Sequence, residues 1–160
     1  MRVTIVAAGR ARGTPEDALV GEYAKRLTAS PAGIGPLECR EIEAKPKDKA
    51  AAAARKRAEA EKLLAQVPDG AFLVALDPRG KALSTEEFAA KLAGWRDDGN
   101  GDLAFAIGGA DGLDATLLAQ ARFRLSLGAM TWPHLLARAM LAEQLWRAAS
   151  LMAGHPYHRA

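Results

Sequence analysis

Leu103-Ala104-Phe105-Ala106-Ile107 runs without a polar side chain into Gly108-Gly109-Ala110-Asp111-Gly112, and a helical stretch from Asp114 to Ala121 follows. A short apolar run ending at paired glycines reads as a strand with a sharp exit. The same unit recurs on either side. Arg2 to Ala8, rich in β-branched residues and stopped at Gly9, reads as a buried strand. After the turn signals Gly13 and Pro15, Glu16 to Leu27 spaces Leu19, Val20, Tyr23 and Leu27 along one helical face. Pro36 to Ala44 alternates loosely and predicts an edge-like strand, and Asp48 to Gln66 is an alanine-rich helix closed by Pro68 and Gly70.

Ala71 to Leu76 is another apolar run, expected to end as a turn at Asp77, Pro78 and Gly80. Ser84 followed by Glu87 is a capping box that opens a helix to about Trp95, with Phe88 and Leu92 on its apolar side. Phe123 to Leu127 gives a last strand. Pro133 starts a final helix in which Leu136, Met140, Leu141, Leu145 and Ala148 recur at helical spacing to about Ala153. Repeated β then α with connections of this length predicts an α/β fold, a mostly parallel sheet flanked by helices, in one domain spanning 1–160.

With 49% hydrophobic and 26% charged residues, the 160-residue chain has the composition of a soluble globular domain rather than a disordered or fibrous one. A chain of this length removes about 68–70% of its unfolded surface from water, so neither disulfides nor a metal are needed to build its core. Cys39 has no partner within the chain, and its expected role is that of a small buried hydrophobe. No window approaches the roughly 18 consecutive apolar residues of a membrane span. Val3 to Ala8 is too short for the apolar part of a signal peptide, so the expected location is the cytoplasm, with no membrane partner.

The net charge of +3 says little by itself. Its distribution says more: from Ala115 to Ala160, Arg122, Arg124, Arg138, Arg147 and Arg159 stand against one acid, Glu143, and all three histidines, His134, His155 and His158, lie there too. A second basic run holds Lys45, Lys47, Lys49, Arg55, Lys56, Arg57 and Lys62, diluted by Asp48, Glu59 and Glu61. Two basic surfaces suit an extended polyanion such as nucleic acid; the plainer alternative is two solvated faces.

In open α/β sheets ligands sit at the C-terminal ends of strands. Three exits qualify here: 76–80, 107–112 and 127–134. Paired glycines let backbone N–H groups approach a ligand closely, although Gly108, Gly109 and Gly112 match neither the dinucleotide fingerprint nor a Walker loop and also suit a plain sharp connection. No paired cysteine spacing or His-Glu-x-x-His helix supports a metal, and no G-x-S-x-G elbow supports a serine hydrolase. The tail His155-Pro156-Tyr157-His158-Arg159 gathers an aromatic ring, two imidazoles and a guanidinium after a long apolar helix. Such a set can hold phosphate, stack on a base and titrate near neutral pH, or form a decorated solvated end.

Taken together, several segments resemble the bacterial ribosomal RNA large-subunit methyltransferase H family of the SPOUT superfamily. They are the Leu76-Asp77 exit; Ile107-Gly108-Gly109 with Gly112; Ser126 to His134; Leu135, Arg138, Leu141, Glu143, Gln144, Leu145, Arg147 and Ala148; and the terminal His155-Pro156-Tyr157-His158-Arg159. The likeness spans the chain and is weaker before about Leu73. It implies a SPOUT-type α/β knot with a C-terminal trefoil knot, a homodimer, and methyl transfer from S-adenosylmethionine without a metal. The implied target is N3 of a pseudouridine in helix 69 of 23S rRNA, methylated on the assembled 70S ribosome.

Position by position, the resemblance places the donor against Leu76, Gly108 and the loop Leu127, Gly128, Ala129, Met130, Thr131 and Trp132. This chain departs from the family pattern at Gly128 and Trp132, where a small polar and an aliphatic residue are expected. The tail of one subunit is expected to reach the donor pocket of the other. There Arg159 would hold RNA phosphate, Tyr157 would stack or order the tail, and His155 or His158 would assist proton removal. Two other readings stay open: a noncatalytic ribosome- or RNA-binding module with a nucleotide pocket, and a SPOUT enzyme with a different RNA target. The apolar residues around the last helix, Leu141, Leu145, Trp146 and Met152, suit either a dimer contact or a helix central to one subunit.

Overall fold

Val3 to Ala8 are all buried, which only a strand covered on both faces achieves. In the computed structural model, which describes residues 1–43 and 52–158, this strand, β1 (Arg2–Ala8), pairs in parallel with β2 (Leu37–Ile42) and with β4 (Asp102–Ile107). β4 in turn pairs with β3 (Phe72–Ala82), and β3 with β5 (Phe123–Ser126), giving an all-parallel sheet in the order β2-β1-β4-β3-β5. The expected edge strand is therefore found at the edge.

The helices are α1 (Pro15–Thr28), α2 (Ala52–Leu64), α3 (Thr85–Asp97), α4 (Ala115–Gln120) and α5 (His134–Met152). The chain moves toward the β2 edge through α1 and α3 and toward the β5 edge through α2 and α4, so crossovers of one hand put the two pairs on opposite faces. The two cores divide accordingly. One joins Val20, Leu27, Phe88, Leu92 and Trp95 to Leu141 and Leu145 of α5; the other joins Ala60 and Leu63 to Leu117 and Leu118. Among the described residues no helix is long and apolar enough to cross a membrane.

Local signals set several boundaries. Pro15 opens α1 instead of closing a turn, because Thr14 Oγ1 accepts the Asp17 N–H at 3.2 Å and proline's missing N–H costs nothing at the first helical position. The capping box of α3 forms as expected: Glu87 N donates to Ser84 Oγ at 3.1 Å and Ser84 N to Glu87 Oε2 at 2.8 Å.

Two expectations need correction. β3 does not end at Leu76: it detours through 77–80 and resumes, so that Leu76 and Lys81 both pair with Leu125. The detour closes because Gly80 lies against the neighbouring backbone, where a Cβ would meet Arg124 C and O at 2.7 Å. Leu19, expected on the buried face of α1, is 44% exposed and faces a cavity described below. The expected helix start at Asp48, the end of β2 at Ala44, and the basic residues Lys45, Lys47 and Lys49 lie outside the described residues.

Candidate active site

Because β4, β3 and β5 are neighbours running the same way, the exits of β4 and β5 and the β3 detour, which stands in for the expected third exit, open side by side. They line one cavity of about 500 Å³ with the start of α5, a size usual for small-molecule sites. Leu76, Gly108, Leu127, Gly128, Met130, Thr131 and Trp132 all stand on its wall; Ala129 belongs to the same loop but is exposed off it.

Each exit is built differently. At β3, Asp77 is only 6% exposed, and its Oδ1 accepts the Arg79 N–H at 3.1 Å, which folds the chain into the detour. At β4, a Cβ on Gly108 would lie 2.9 Å from the Gly112 carbonyl carbon, so the turn closes only without a side chain. At β5, Ser126 Oγ accepts the Gly128 N–H at 3.2 Å and donates to the Gly128 carbonyl at 3.1 Å. Gly128 has φ +107°, which side-chain-bearing residues rarely adopt and which accounts for glycine at that position. Trp132 bends back so that its indole N–H donates to Leu127 O at 3.4 Å. Met130, 70% exposed, leaves a large apolar side chain at the cavity rim.

Sequence reasoning missed the exit of β1, which does not line the cavity but packs behind its wall at His134. Gly9, at φ +86°, lets His134 approach so closely that a Cβ there would lie 2.9 Å from His134 Nε2. Behind it Arg138, 1% exposed, donates to the Ala8 and Gly9 carbonyls and to Glu41 Oε1 at 2.7 Å. Burial, with Arg138 nearby, holds the His134 imidazole below its ordinary pKa, opposed by Glu59. The readable signal was Gly9 itself, a glycine directly after an apolar run like the ones that were singled out.

The described part of the tail lies elsewhere. Tyr157, in a 3-10 turn over Pro156–His158, donates its hydroxyl to Glu143 Oε1 at 3.3 Å beneath the Arg147 guanidinium, 4.9 Å from its ring centre. Its N–H donates to His155 Nδ1 at 3.2 Å, and the Trp146 ring stands 5.7 Å from His155. Burial and a hydrogen bond with Tyr23 raise the Tyr157 phenol above its ordinary pKa. The tail is thus anchored on α5 and α1 of its own chain, and neither His155 nor Tyr157 lines the cavity of that chain. The His158 side chain and Arg159 lie outside the described residues.

A second cavity, of about 590 Å³, lies across the β5 exit, with Leu125, Leu127 and Gly128 common to both. Leu19, Leu136 and Met140 make it apolar, while Tyr23, Glu143 and Gln144 join it to the tail anchor. Among the described residues, no three His, Cys, Asp or Glu side chains gather as they would around a metal ion.

The family model described as "Predicted SPOUT methyltransferase" matches residues 1–158. The chain is 53% identical over 161 residues to the ribosomal RNA large subunit methyltransferase H of Dinoroseobacter shibae, covering 99% of each. It is 50% identical to the protein of the same name from Rhodospirillum centenum, covering all of both chains. Among solved structures, a "probable methylase family protein" from Haemophilus influenzae superposes with a TM-score of 0.53 at 16% identity, over 95% of this chain and 66% of that longer one. With sheet, strand exits and full-length similarity in agreement, the chain belongs to the SPOUT methyltransferases, in the family of ribosomal RNA large subunit methyltransferase H.

Proposed function

We propose that this protein transfers a methyl group from S-adenosylmethionine to N3 of a pseudouridine in helix 69 of 23S rRNA, on the assembled 70S ribosome in the cytoplasm, as a homodimer with the family's C-terminal trefoil knot. The observation that carries this is the meeting of three strand exits in one cavity, in a chain 53% identical along its length to a ribosomal RNA large subunit methyltransferase H. The wall chemistry suits the donor. Leu76, Leu127 and Met130 offer apolar surface to an adenine ring, and the backbone of 127–132 offers N–H and C=O groups to its polar edge. The bare backbone at Gly108 leaves room for close approach.

The sulfonium donor supplies an electrophilic methyl carbon, and its sulfur keeps the electrons of the bond that breaks. The protein must hold the acceptor nitrogen in line with that bond and remove the imide proton. Since the tail is anchored away from the cavity of its own chain, His155 or His158 would serve the donor site of the partner subunit. Tyr157 orders the tail and Arg159 holds RNA phosphate. The apolar second cavity with exposed Leu19 supports a subunit contact on that face.

The test is transfer of labelled methyl to assembled ribosomes, isolated large subunits and bare rRNA from a strain lacking this gene. Label confined to assembled ribosomes and mapping to an N3-methylated pseudouridine is expected. Donor binding without label on any of them would instead support a noncatalytic module or another RNA target. His155→Ala and His158→Ala are expected to alter turnover and its pH profile; if both leave these unchanged, the proton acceptor lies outside the tail.

A further inference from the structure

The donor contacts proposed above come from strand exits, yet helix α2 holds the glycine turn that forms one wall of the cavity. One helical turn apart, Arg55 and Glu59 reach the same loop. Glu59 Oε1 accepts the Gly109 N–H at 2.9 Å, and Arg55 Nη2 donates to Asp111 Oδ2 at 3.4 Å. Lys56 and Arg57 of the same helix help hold the Asp114 carboxyl below its ordinary pKa, after the larger contribution of hydrogen bonds from Thr116. The 108–114 segment thus meets α2 through a run of charged contacts.

The fit at Glu59 is close: a Cβ on Gly109 would lie 3.1 Å from its Oε2. Gly108, Gly109 and Gly112 give the turn many backbone states. Left alone, it would have to be ordered whenever a ligand bound, and affinity would fall by that ordering cost. A carboxylate accepting a backbone N–H is a strong hydrogen bond that fixes the turn beforehand. Glu59 also acts electrostatically on His134, which lines the same cavity from the start of α5.

We propose that Glu59 is a positioning residue for the methyl donor: its carboxylate holds the Gly109 N–H so that the 108–112 turn has its binding shape before the donor arrives. The inference rests on the reading of this cavity as the donor site.

The experiment measures S-adenosylmethionine binding by titration calorimetry, alongside thermal melting, for the full-length protein, Glu59→Ala, Glu59→Gln and Glu61→Gln. Glu61 is on the exposed side of α2, 3.9 Å from Arg57, and serves as the control. Glu59→Ala is expected to weaken donor affinity about tenfold, Glu59→Gln to recover most of it through its carbonyl acceptor, and Glu61→Gln to change nothing. A folded Glu59→Ala protein with a lower melting temperature and unchanged affinity overturns the proposal. If that variant does not fold, amide exchange in the unsubstituted protein without donor decides: slow exchange at Gly109 supports the clamp, and exchange at the rate of a free amide overturns it. A parent protein that binds no donor removes the methyltransferase reading and the clamp together. That outcome is distinct from a parent and a Glu59→Ala variant that bind equally well.

Discussion

At His134, burial and the Arg138 guanidinium both oppose a charged imidazole, so the folded pKa lies below the 6.5 of the free side chain. Between these two values the unfolded chain binds the extra proton, so stability falls as pH drops through that window, and above it the penalty vanishes. His134→Gln is expected to reduce the loss of denaturant midpoint between neutral pH and about pH 5, measured by urea unfolding at the two values. Cys39, expected to be buried, is only partly so, packed against the core on the α1 side, and this burial pushes its thiol up to about 11. Since the thiolate is the reactive form, iodoacetamide is expected to leave the native protein unmodified near neutral pH and to label it fully in denaturant, read by mass spectrometry. Only part of the histidine environment can be read from neighbours in sequence: Arg138 is one helical turn from His134, whereas Gly9 meets both only in the fold.

Among the elements, those governed by local chemistry were legible and those governed by a neighbour were not. The capping box of α3 needs only Ser84 and Glu87, so four residues of sequence announce it. Ser84→Ala is expected to cost about 1 kcal/mol, measured as a lower midpoint at unchanged slope. The continuation of β3 past Leu76 depends on how closely Gly80 lies against Arg124 of β5, a contact between strands that no local pattern encodes. Gly80→Ala is expected to destabilise the protein by about 1–3 kcal/mol through overpacking. Because Leu125 and Leu127 then shift, donor affinity should fall with the melting temperature; a melting change alone would mean that the β5 exit is held independently of the detour.

For the whole molecule, the division of α5 matters most. Leu141 and Leu145 are fully buried in its own subunit, while Leu136 and Met140 line the second cavity beside exposed Leu19. The helix is thus buried in the core on one side and lines an apolar cavity on the other. In the proposed homodimer, Leu19→Glu is expected to raise the dimer dissociation constant about thirtyfold or more, measured by sedimentation velocity over a concentration series. If the variant dimerises like its parent, the subunit contact lies on another face.

The order of β and α units, the parallel sheet, the edge position of β2 and the three exits worth examining were all determined by sequence alone. Apolar periodicity, glycine placement and capping act over a few residues, and chain direction through successive βα units follows from them. The motif likeness added the family, which full-length similarity bears out. Tertiary structure decided the strand order that brings 76–78, 107–112 and 127–134 into one cavity, the packing of Gly9 behind His134 on its wall, and the hold of Glu59 on the glycine turn. It also set His155 and Tyr157 apart from the cavity of their own chain. These depend on which strands become neighbours and how closely their backbones approach, and that is fixed only when all the helices compete for the two faces of one sheet.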